Sequence, residues 1–270
     1  MLLKEQIVRH YDELSPFYRD LWGVHIHHGY WKTGKETKEC AQEQLVRELI
    51  ARANIRHASR VLDVGCGLGA SAILLSRALG AHVIGVTISP VQIEIGNSLI
   101  ARAKADIDLV QMDAEALALD DRFDLVWSVE ALSHVSKKED CFHAIARLLN
   151  REGKLVIADW FKSGTATAAQ ARKLLEPIER AMVVAKLEVP SSYASYIRDA
   201  GLRVLSFDDL SEKVRKTWDL ATELVRAPTL WKLAARRGED FSAFLQAFAA
   251  MRAGYQSKAL CYGALIAQKP

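Results

Sequence analysis

Three glycines follow a short apolar strand near the end of the first quarter of the chain. Gly65, Gly67 and Gly69 come directly after the segment RVLDV and directly before a predicted helix over Ala70–Leu79. Glycine permits a tight turn and lets a ligand approach the backbone where a Cβ would collide. The first turn of a helix adds unpaired N–H groups, which favour an anionic group such as a carboxylate. The segment therefore suits a ligand-binding loop, although a close strand–helix crossing without a ligand would explain the same glycines.

The spacing of these glycines argues against a nicotinamide cofactor. The dinucleotide fingerprint is GxGxxG with an acidic residue about 20 positions later, at the end of the second strand. Here the spacing is GxGxG, and the predicted second strand, His82–Val86, runs into Thr87. Threonine cannot accept a pair of ribose hydroxyls as a carboxylate does, so the sequence disfavours nicotinamide binding.

Histidines and aromatic residues crowd the stretch WGVHIHHGYW, from Trp22 to Trp31. It has neither helical nor strand periodicity, which predicts a loop. His25, His27 and His28 suggest a metal, but no carboxylate or cysteine neighbour completes a ligand set, so we predict no metal site. The first 31 residues of a chain that is only 8% aromatic hold Tyr11, Tyr18, Trp22, Tyr30 and Trp31. These rings could hold a cation against their faces or simply pack the N-terminal helices onto the core.

The elements that must position these residues alternate strand and helix between residues 56 and 160. The predicted strands after the glycine loop are His82–Val86, Ile107–Met112, Phe123–Val129 and Lys154–Asp159. Helices are predicted between them over Pro90–Lys104 and from about Lys138 to Leu149. This alternation favours a parallel sheet covered on both faces. Three zones follow in one compact unit: an N-terminal helical lid over 1–55, a cofactor-binding core over 56–160, and a region over 161–270 that completes the sheet.

The pattern becomes mainly helical after residue 161. Helices are predicted over Thr167–Val184, Ser191–Ala200, Leu210–Ala234 and Phe241–Gly254, around the strands Leu202–Phe207 and Ala259–Ala267. A helical insertion between the last two strands would lie over the carboxyl ends of the sheet, where a substrate cap belongs. Its apolar residues are candidate pocket walls, although helix packing accounts for most of them: Leu174, Leu175, Met182, Trp218, Leu230, Trp231 and Phe244.

Composition excludes several other classes of protein. Thirty-six Lys and Arg against 33 Asp and Glu leave a formal charge of +3, too small an excess for a nucleic-acid surface. The apolar runs are too short to span a bilayer. The N-terminal residues MLLKEQIVRH place charges where a signal peptide needs its apolar core. The four cysteines form no CxxC pair, which suggests reduced thiols and a cytoplasmic protein of undetermined oligomeric state.

Four segments resemble, in order and interval, the motifs of class I S-adenosylmethionine-dependent methyltransferases. They are VLDVGCGLGAS, HVIGVTISPVQ, QMDAEAL and FDLVWSVEALSHV, and LLNREGKLVIADW is similar to the strand that completes the core. The GxTxSxxQ form of the second segment, YDELSPFYRDLWGVHIHHGYW near the N-terminus and the ending GYQSKALCYGALIAQKP resemble the γ-tocopherol and sterol C-methyltransferase branch. The resemblance implies an α/β fold with a Rossmann-like, seven-stranded, mostly parallel sheet, an N-terminal helical lid and a helical insertion before the last strand.

The resemblance also implies where S-adenosylmethionine binds. Gly65, Cys66 and Gly67 would pack against its methionine end, with Asp63 orienting the amino group; a carboxylate there could equally cap the loop's own N–H groups. Thr87, Ile88 and Gln92 would meet the ribose, although a helix capped by Ser89 explains the same residues. Asp113 and Ala114 would hold the adenine. Further cofactor contacts are expected from Val129, Tyr11 and Trp22.

Three residues are candidates for chemistry on the acceptor. His134, in EALSHV, is the first candidate base, and His28 the second; a structural histidine is the alternative for each. Glu130 ends the fourth strand and could contact cofactor or substrate, or could be a helix-start carboxylate. After His134 the chain continues Val135-Ser136-Lys137-Lys138 where the tocopherol enzymes tend to have a Met-Pro-Asp-like turn, which leaves the acceptor open.

The sequence therefore predicts methyl transfer to a small, largely apolar acceptor, with C-methylation of a phenol, isoprenoid or sterol-like compound first. An N- or O-methyltransferase of natural-product biosynthesis is the alternative within the same chemistry. A cyclase on the same fold and a non-catalytic cofactor-binding protein are alternatives of other classes. Product mass separates them, since methyl transfer adds one methylene unit and cyclisation leaves the mass unchanged.

Overall fold

The computed structural model describes residues 3–228, 230–231 and 239–270. One seven-stranded sheet runs through this part of the chain in the order β3-β2-β1-β4-β5-β7-β6. The strands are β1 (Arg60–Val64), β2 (His82–Thr87), β3 (Ile107–Gln111), β4 (Phe123–Val129), β5 (Leu149–Lys162), β6 (Arg203–Asp209) and β7 (Leu260–Gln268). The first five are parallel, and β7 is antiparallel to both β5 and β6. The predicted Rossmann-like, mostly parallel sheet is confirmed.

Helices cover both faces of the sheet. Those before β5 are α1 (Leu3–Phe17), α2 (Lys38–Arg52), α3 (Ala70–Leu79), α4 (Pro90–Ala103) and α5 (Lys138–Leu148). Those after β5 are α6 (Ala168–Gln170), α7 (Glu176–Ala181), α8 (Pro190–Asp199), α9 (Ser211–Val214), α10 (Lys216–Val225) and α11 (Glu239–Gln256). Because α9 to α11 lie between β6 and β7, the predicted helical insertion before the last strand is confirmed. None of the described helices is both long and apolar enough to cross a membrane.

Local sequence signals explain where these helices begin and end. The Ser89 hydroxyl accepts a hydrogen bond from the Gln92 backbone N–H at 3.1 Å, and Pro90 fills the first position of α4. Both are typical of a helix start, because they satisfy or remove N–H groups that lack an intrahelical partner. Helix α3 ends at Gly80, whose left-handed backbone (φ +66°) closes the helix at no Cβ cost.

The sheet separates two hydrophobic clusters, one on each face. Along β1, Val61 packs into one cluster while Leu62 and Val64 pack into the other. This alternation follows from the two-residue period of a strand. Both faces of the central strands are thus buried, as expected for parallel strands joined by helical crossovers.

Several predicted boundaries were wrong after residue 148. Strand β5 extends to Lys162 because it pairs with β7 from Lys154 opposite Gln268 to Lys162 opposite Leu260. The helix predicted over Thr167–Val184 contains a π-helical turn at Ala171–Leu175 and ends at Ala181. The helix predicted over Leu210–Ala234 is divided at Arg215, and its second part ends at Val225. Its residues 229 and 232–234 lie outside the described residues.

Candidate active site

One cavity of about 600 Å³ lies at the carboxyl ends of β1, β2 and β4, between the sheet and α1. This is the crevice in which open α/β sheets bind their ligands. The structure brings every predicted site residue to its wall: Tyr11, Trp22, His28, Asp63, Gly65, Cys66, Gly67, Thr87, Ile88, Gln92, Asp113, Ala114, Val129, Glu130 and His134.

The glycine loop forms the floor of the cavity directly after β1. The N–H groups of Gly65 and Cys66 both donate to the carbonyl of Val86, at 2.9 and 3.0 Å, which joins the loop to β2. Gly65, Gly67 and Gly69 all have a left-handed backbone. A Cβ on Gly65 would lie 2.1 Å from the Cβ of Ala131, whereas a Cβ on Gly67 would meet nothing closer than 3.8 Å. Gly65 is therefore required by the protein's own packing, and Gly67 leaves open space toward the cavity.

Asp63 supplies a buried carboxylate beside this loop. Its residue is 2% exposed, and its Oδ2 has no hydrogen-bond partner. Burial raises the pKa of Asp63 to about 7. A buried carboxylate without a partner is costly, and a ligand that brings a positively charged N–H donor would remove the cost. The site thus fits the amino group of a methionine moiety, which is what the sequence resemblance implies.

The raised pKa of Asp63 gives a testable pH dependence. The folded protein holds this proton more tightly than the unfolded chain, whose aspartate has a pKa of about 3.9. The protonated Asp63 therefore contributes stability to the ligand-free fold, and this contribution is fully present below about pH 3.9. It is lost as the pH rises from there to about 7, the pKa in the folded protein. We expect Asp63→Asn to gain stability relative to the wild type between about pH 5 and about pH 8, measured by urea unfolding. An equal difference at both pH values would contradict the assignment, and Asp120→Asn on the exposed surface is the control.

The ribose and adenine candidates lie at the ends of β2 and β3. The Thr87 hydroxyl donates to Gln92 Oε1 at 2.6 Å, so the two predicted ribose residues are already paired. Asp113 accepts from the Glu115 backbone N–H at 2.9 Å and forms an ion pair with Lys4 of α1. The cap at Ser89 that the sequence also predicted is present.

Helix α1 is fastened over the cavity by side chains that the sequence did not single out. Lys4 reaches Asp113, and Asp12 accepts from the Ser89 hydroxyl at 2.5 Å. Each contact ends on a loop that follows a strand of the crevice. No local sequence pattern predicts these pairs. The seven- to eight-residue spacing of Lys4, Tyr11 and Asp12 does, however, place the three side chains on one face of a helix.

His134 lies in the cavity with a defined tautomer. Its Nδ1 lies 2.9 Å from the carbonyl of Val183, which can only accept, so Nδ1 carries the proton. Its Nε2 lies 2.8 Å from the hydroxyl of Tyr11 and accepts from it. Burial lowers the pKa of His134, and the neighbouring Lys138 lowers it further. The imidazole is therefore neutral near pH 7, with a lone pair directed at a residue of α1.

Glu130 and His28 form a saturated pair deeper in the cavity. Glu130 accepts from the backbone N–H and the Nδ1–H of His28, at 2.8 and 2.9 Å. It also accepts from Trp160 Nε1 at 3.0 Å and from the Tyr262 hydroxyl at 2.9 Å. Trp218 Nε1 donates to His28 Nε2 at 2.6 Å. The hydroxyl of Tyr255 lies 3.1 Å from the same nitrogen, and His28 is 1% exposed. Two core side chains therefore cover the lone pair of His28, which suits a positioning role better than proton transfer.

The N-terminal aromatic residues divide between the cavity and the core. Tyr11, Tyr18 and Trp22 line the cavity, whereas Tyr30 and Trp31 are buried at 6% and 4% exposure and do not line it. The other two histidines of the Trp22–Trp31 segment are hydrogen-bonded to each other, with His25 Nδ1 3.0 Å from His27 Nε2. Among the described residues, no group of three or more His, Cys, Asp or Glu has the arrangement of a metal site.

Helix packing was expected from the sequence to account for most of the seven candidate pocket walls after residue 161. Of the seven, Met182 and Trp218 line the main cavity, and Leu174 does not. Leu230 and Phe244 line a small apolar cleft of about 50 Å³ beside α1, which shares Tyr18, Trp22 and Phe248 with the main cavity. Helix packing accounts for Leu175, and the Trp231 side chain is 38% exposed.

Comparisons with known proteins agree with this geometry. A family profile described as a methyltransferase domain matches residues 61–153. The chain is 31% identical over 270 residues to 27-O-demethylrifamycin SV methyltransferase of Amycolatopsis mediterranei (strain S699), covering 98% of this chain and 97% of that protein. It is 30% identical over 247 residues to a probable chloroplastic tocopherol O-methyltransferase of Oryza sativa subsp. japonica, covering 85% and 67%.

Among solved structures, the [4+2]-cyclase SpnF superimposes with a TM-score of 0.86 at 25% identity, covering 99% of this chain and 96% of that one. The matched fold, the matched sequence and a cavity built from the expected residues at the expected strand ends point the same way. This chain belongs to the S-adenosylmethionine-dependent methyltransferases and is an enzyme that uses S-adenosylmethionine as its cofactor.

Proposed function

We propose that this enzyme methylates a hydroxyl oxygen of a largely apolar natural product, with His134 as the base. The observation that carries the proposal is the hydrogen bond from the Tyr11 hydroxyl to His134 Nε2 inside the cofactor cavity. In this contact the imidazole of His134 accepts a hydrogen bond from a hydroxyl group, as it would from a hydroxyl-bearing acceptor. The cofactor would supply a methyl group bonded to a positively charged sulfur. An oxygen nucleophile in line with that bond can attack the methyl carbon, with the sulfur as the leaving group.

The chain's own residues would hold that cofactor along the crevice. Asp63 would bind the amino group, and the loop of Gly65, Cys66 and Gly67 would pack against the methionine end. The ribose would meet the end of β2, where the Thr87–Gln92 pair lies, and the adenine would meet the end of β3. The residues assigned to these two contacts and to the nearby wall are Thr87, Ile88, Gln92, Asp113, Ala114 and Val129.

His134 would take the proton of the acceptor hydroxyl as the oxygen attacks. A neutral base with its Nδ1–H fixed on Val183 presents Nε2 in one orientation, which lowers the cost of aligning the acceptor. The acceptor hydroxyl would replace the Tyr11 O–H on this nitrogen, because Nε2 has a single lone pair and Tyr11 donates to it in the structure without an acceptor. Burial and the charge of Glu130 raise the pKa of Tyr11, so the phenol stays protonated and acts as a donor.

The remaining wall suits an apolar acceptor. Trp22, Met182, Trp218 and Phe248 are among the apolar side chains that line the cavity. Two relatives support the choice of oxygen, since they are named for 27-O-demethylrifamycin SV and for tocopherol O-methylation. Methylation of a phenol ring carbon, which the sequence placed first, would use the same base and the same walls.

The experiment that tests this proposal follows the labelled methyl group. The enzyme is incubated with S-adenosylmethionine carrying a ¹³C methyl group and with phenols, isoprenoid alcohols, sterols, amines and macrocyclic polyols. We expect products heavier by one methylene unit whose labelled carbon is a methoxy carbon by NMR. A label on carbon or nitrogen would refute the choice of oxygen and support the corresponding alternative.

The likeness to SpnF favours a second candidate, cyclisation of a bound polyene on the same fold, because it extends over nearly the whole chain. Polyene substrates added to the same assay test it. A product of unchanged mass with a new ring would support the cyclase, and a gain of one methylene unit would exclude it for that substrate.

A further inference from the structure

Glu130 is a negative charge held inside the cofactor cavity without a positive partner. Its side chain is 9% exposed and lines the cavity at the end of β4. Its backbone is left-handed (φ +54°), which is uncommon for a residue with a Cβ. Four hydrogen bonds from His28, Trp160 and Tyr262 fix the carboxylate in place. The fold thus accepts backbone strain in order to hold a carboxylate at this point.

The partners of Glu130 stabilise its charge but do not cancel it. Among the described residues its salt-bridge partner is His28. An indole N–H can only donate, and Trp218 Nε1 lies 2.6 Å from His28 Nε2, so that nitrogen carries no proton. His28 is therefore a neutral donor to Glu130, as are the indole of Trp160 and the phenol of Tyr262.

The carboxylate nevertheless stays ionised. Each carboxylate oxygen accepts two hydrogen bonds, and the backbone N–H of His28, its Nδ1–H and the indole N–H of Trp160 can only donate, so a protonated Glu130 would direct its own O–H at donors. Burial works to raise the pKa of Glu130, whereas the hydrogen bonds from His28 work to lower it. The charge also acts on side chains that line the cavity. Burial, and after it the charge of Glu130, raises the pKa of Tyr11. A buried carboxylate with only neutral partners attracts a cation more strongly than an exposed one, because little water screens it.

We propose that Glu130 sets the cavity's preference between the charged cofactor and its neutral product. S-adenosylmethionine and S-adenosylhomocysteine differ in one methyl group and in the positive charge on sulfur. Adenine, ribose and methionine-end contacts are common to both, whereas the field of Glu130 acts differently on the two sulfurs. Glu130 thus favours binding of S-adenosylmethionine. After transfer the sulfur is neutral, so Glu130 no longer attracts S-adenosylhomocysteine at that atom.

The same charge acts on the proton that leaves the acceptor. As the oxygen–methyl bond forms, the electrons of the sulfur–methyl bond return to sulfur, and the acceptor proton passes to His134. The positive charge therefore moves from sulfur to the imidazole within the field of Glu130. Burial lowers the pKa of His134, and the charge of Glu130 works in the opposite direction. Glu130 is in this account a positioning and electrostatic residue, without proton transfer of its own.

The test is the ratio of two dissociation constants, measured by calorimetry without an acceptor. We expect Glu130→Gln to lower the ratio of Kd for S-adenosylhomocysteine to Kd for S-adenosylmethionine by about tenfold. Asp113→Asn is the matched control, because the adenine contact is shared and both constants should rise by the same factor. A ratio is insensitive to a loss of folded protein, which reduces the number of sites and leaves both constants unchanged.

A second pair of variants separates charge from hydrogen bonding. The glutamine amide at position 130 would face two donors, and the double variant Glu130→Gln/Trp160→Phe removes one of them and so reduces that conflict. Trp160→Phe alone keeps the charge and should keep the wild-type ratio, whereas the double variant should show the lowered one. An unchanged ratio in both Glu130 variants would overturn the proposal. Failure of the wild type to bind S-adenosylmethionine would overturn the proposal and the cofactor assignment together.

Discussion

Replacing His134 with glutamine is expected to lower kcat by about 10²- to 10⁴-fold, the usual contribution of a positioned base. Glutamine can donate to the carbonyl of Val183 and can accept from Tyr11, so it keeps both contacts of the imidazole while losing its basicity. The Kd for S-adenosylmethionine should remain within a few-fold of the wild type. The measurement is steady-state kinetics together with calorimetry of cofactor binding. His143→Gln, the same change at an exposed position on α5, is the control.

The pH profile gives this prediction a second readout. Since burial lowers the pKa of His134 from 6.5, the neutral base persists below pH 6.5. We expect kcat to stay level through neutral pH and to fall only on the acid side, where the imidazole gains a proton. The acid limb should vanish in His134→Gln. A variant with wild-type kcat, or one whose loss lies wholly in KM, would remove His134 from the chemistry.

Replacing Gly65 with alanine is expected to destabilise the ligand-free protein by roughly 3 kcal/mol or more. The new Cβ would lie 2.1 Å from the Cβ of Ala131, and both atoms belong to backbone-fixed positions that cannot rotate away. The left-handed backbone of Gly65 adds strain of its own. Cofactor binding should also be lost, because the glycine loop and the end of β4 must move apart to make room for the Cβ of the new alanine.

Gly67→Ala is the matched comparison within the same loop. It has a comparable left-handed backbone, but its Cβ would meet only Ile26 Cδ1 at 3.8 Å. Its expected cost is about 1 kcal/mol of backbone strain. Urea unfolding without ligand measures both variants. Equal losses would show that strain alone, and not the contact with Ala131, makes Gly65 necessary.

Local sequence patterns were sufficient for the first four strands and the glycine loop. Strands β1 to β4 are short apolar runs that end in turn signals, and the positions of Asp63 and Asp113 at their carboxyl ends follow from chain order alone. Parallel strands bring their carboxyl ends to one edge, so a reader of the sequence can gather these side chains into one crevice. The comparisons with known proteins confirm the cofactor that this crevice implies.

The roles of the histidines could not be derived in the same way. His134 meets Tyr11 across 123 positions, and His28 meets Trp218 across 190. Such pairs depend on how α1 and α10 pack against the sheet, which no periodicity encodes. The sequence suggested both histidines as bases. Only the tertiary contacts show that the lone pair of His134 faces a phenol at the cavity wall, while the lone pair of His28 is covered by Trp218 and Tyr255.

The region after β5 was the hardest to predict because its helices are held by tertiary contacts. The π-helical turn at Ala171–Leu175 and the division at Arg215 leave a spacing of apolar residues close to that of an uninterrupted α-helix. Hydrophobic spacing therefore predicts helices there without showing which residues turn toward the cavity. Trp218 reaches His28, whereas Trp231 donates to the carbonyl of Val225 instead.

A crystal structure with S-adenosylhomocysteine and a hydroxyl-bearing acceptor would test the account most directly. The amino group of the ligand should lie within hydrogen-bond distance of Asp63, its adenine beside Asp113, and the acceptor oxygen on Nε2 of His134. An adenosine moiety bound outside this crevice, or an acceptor oxygen out of reach of His134, would contradict it.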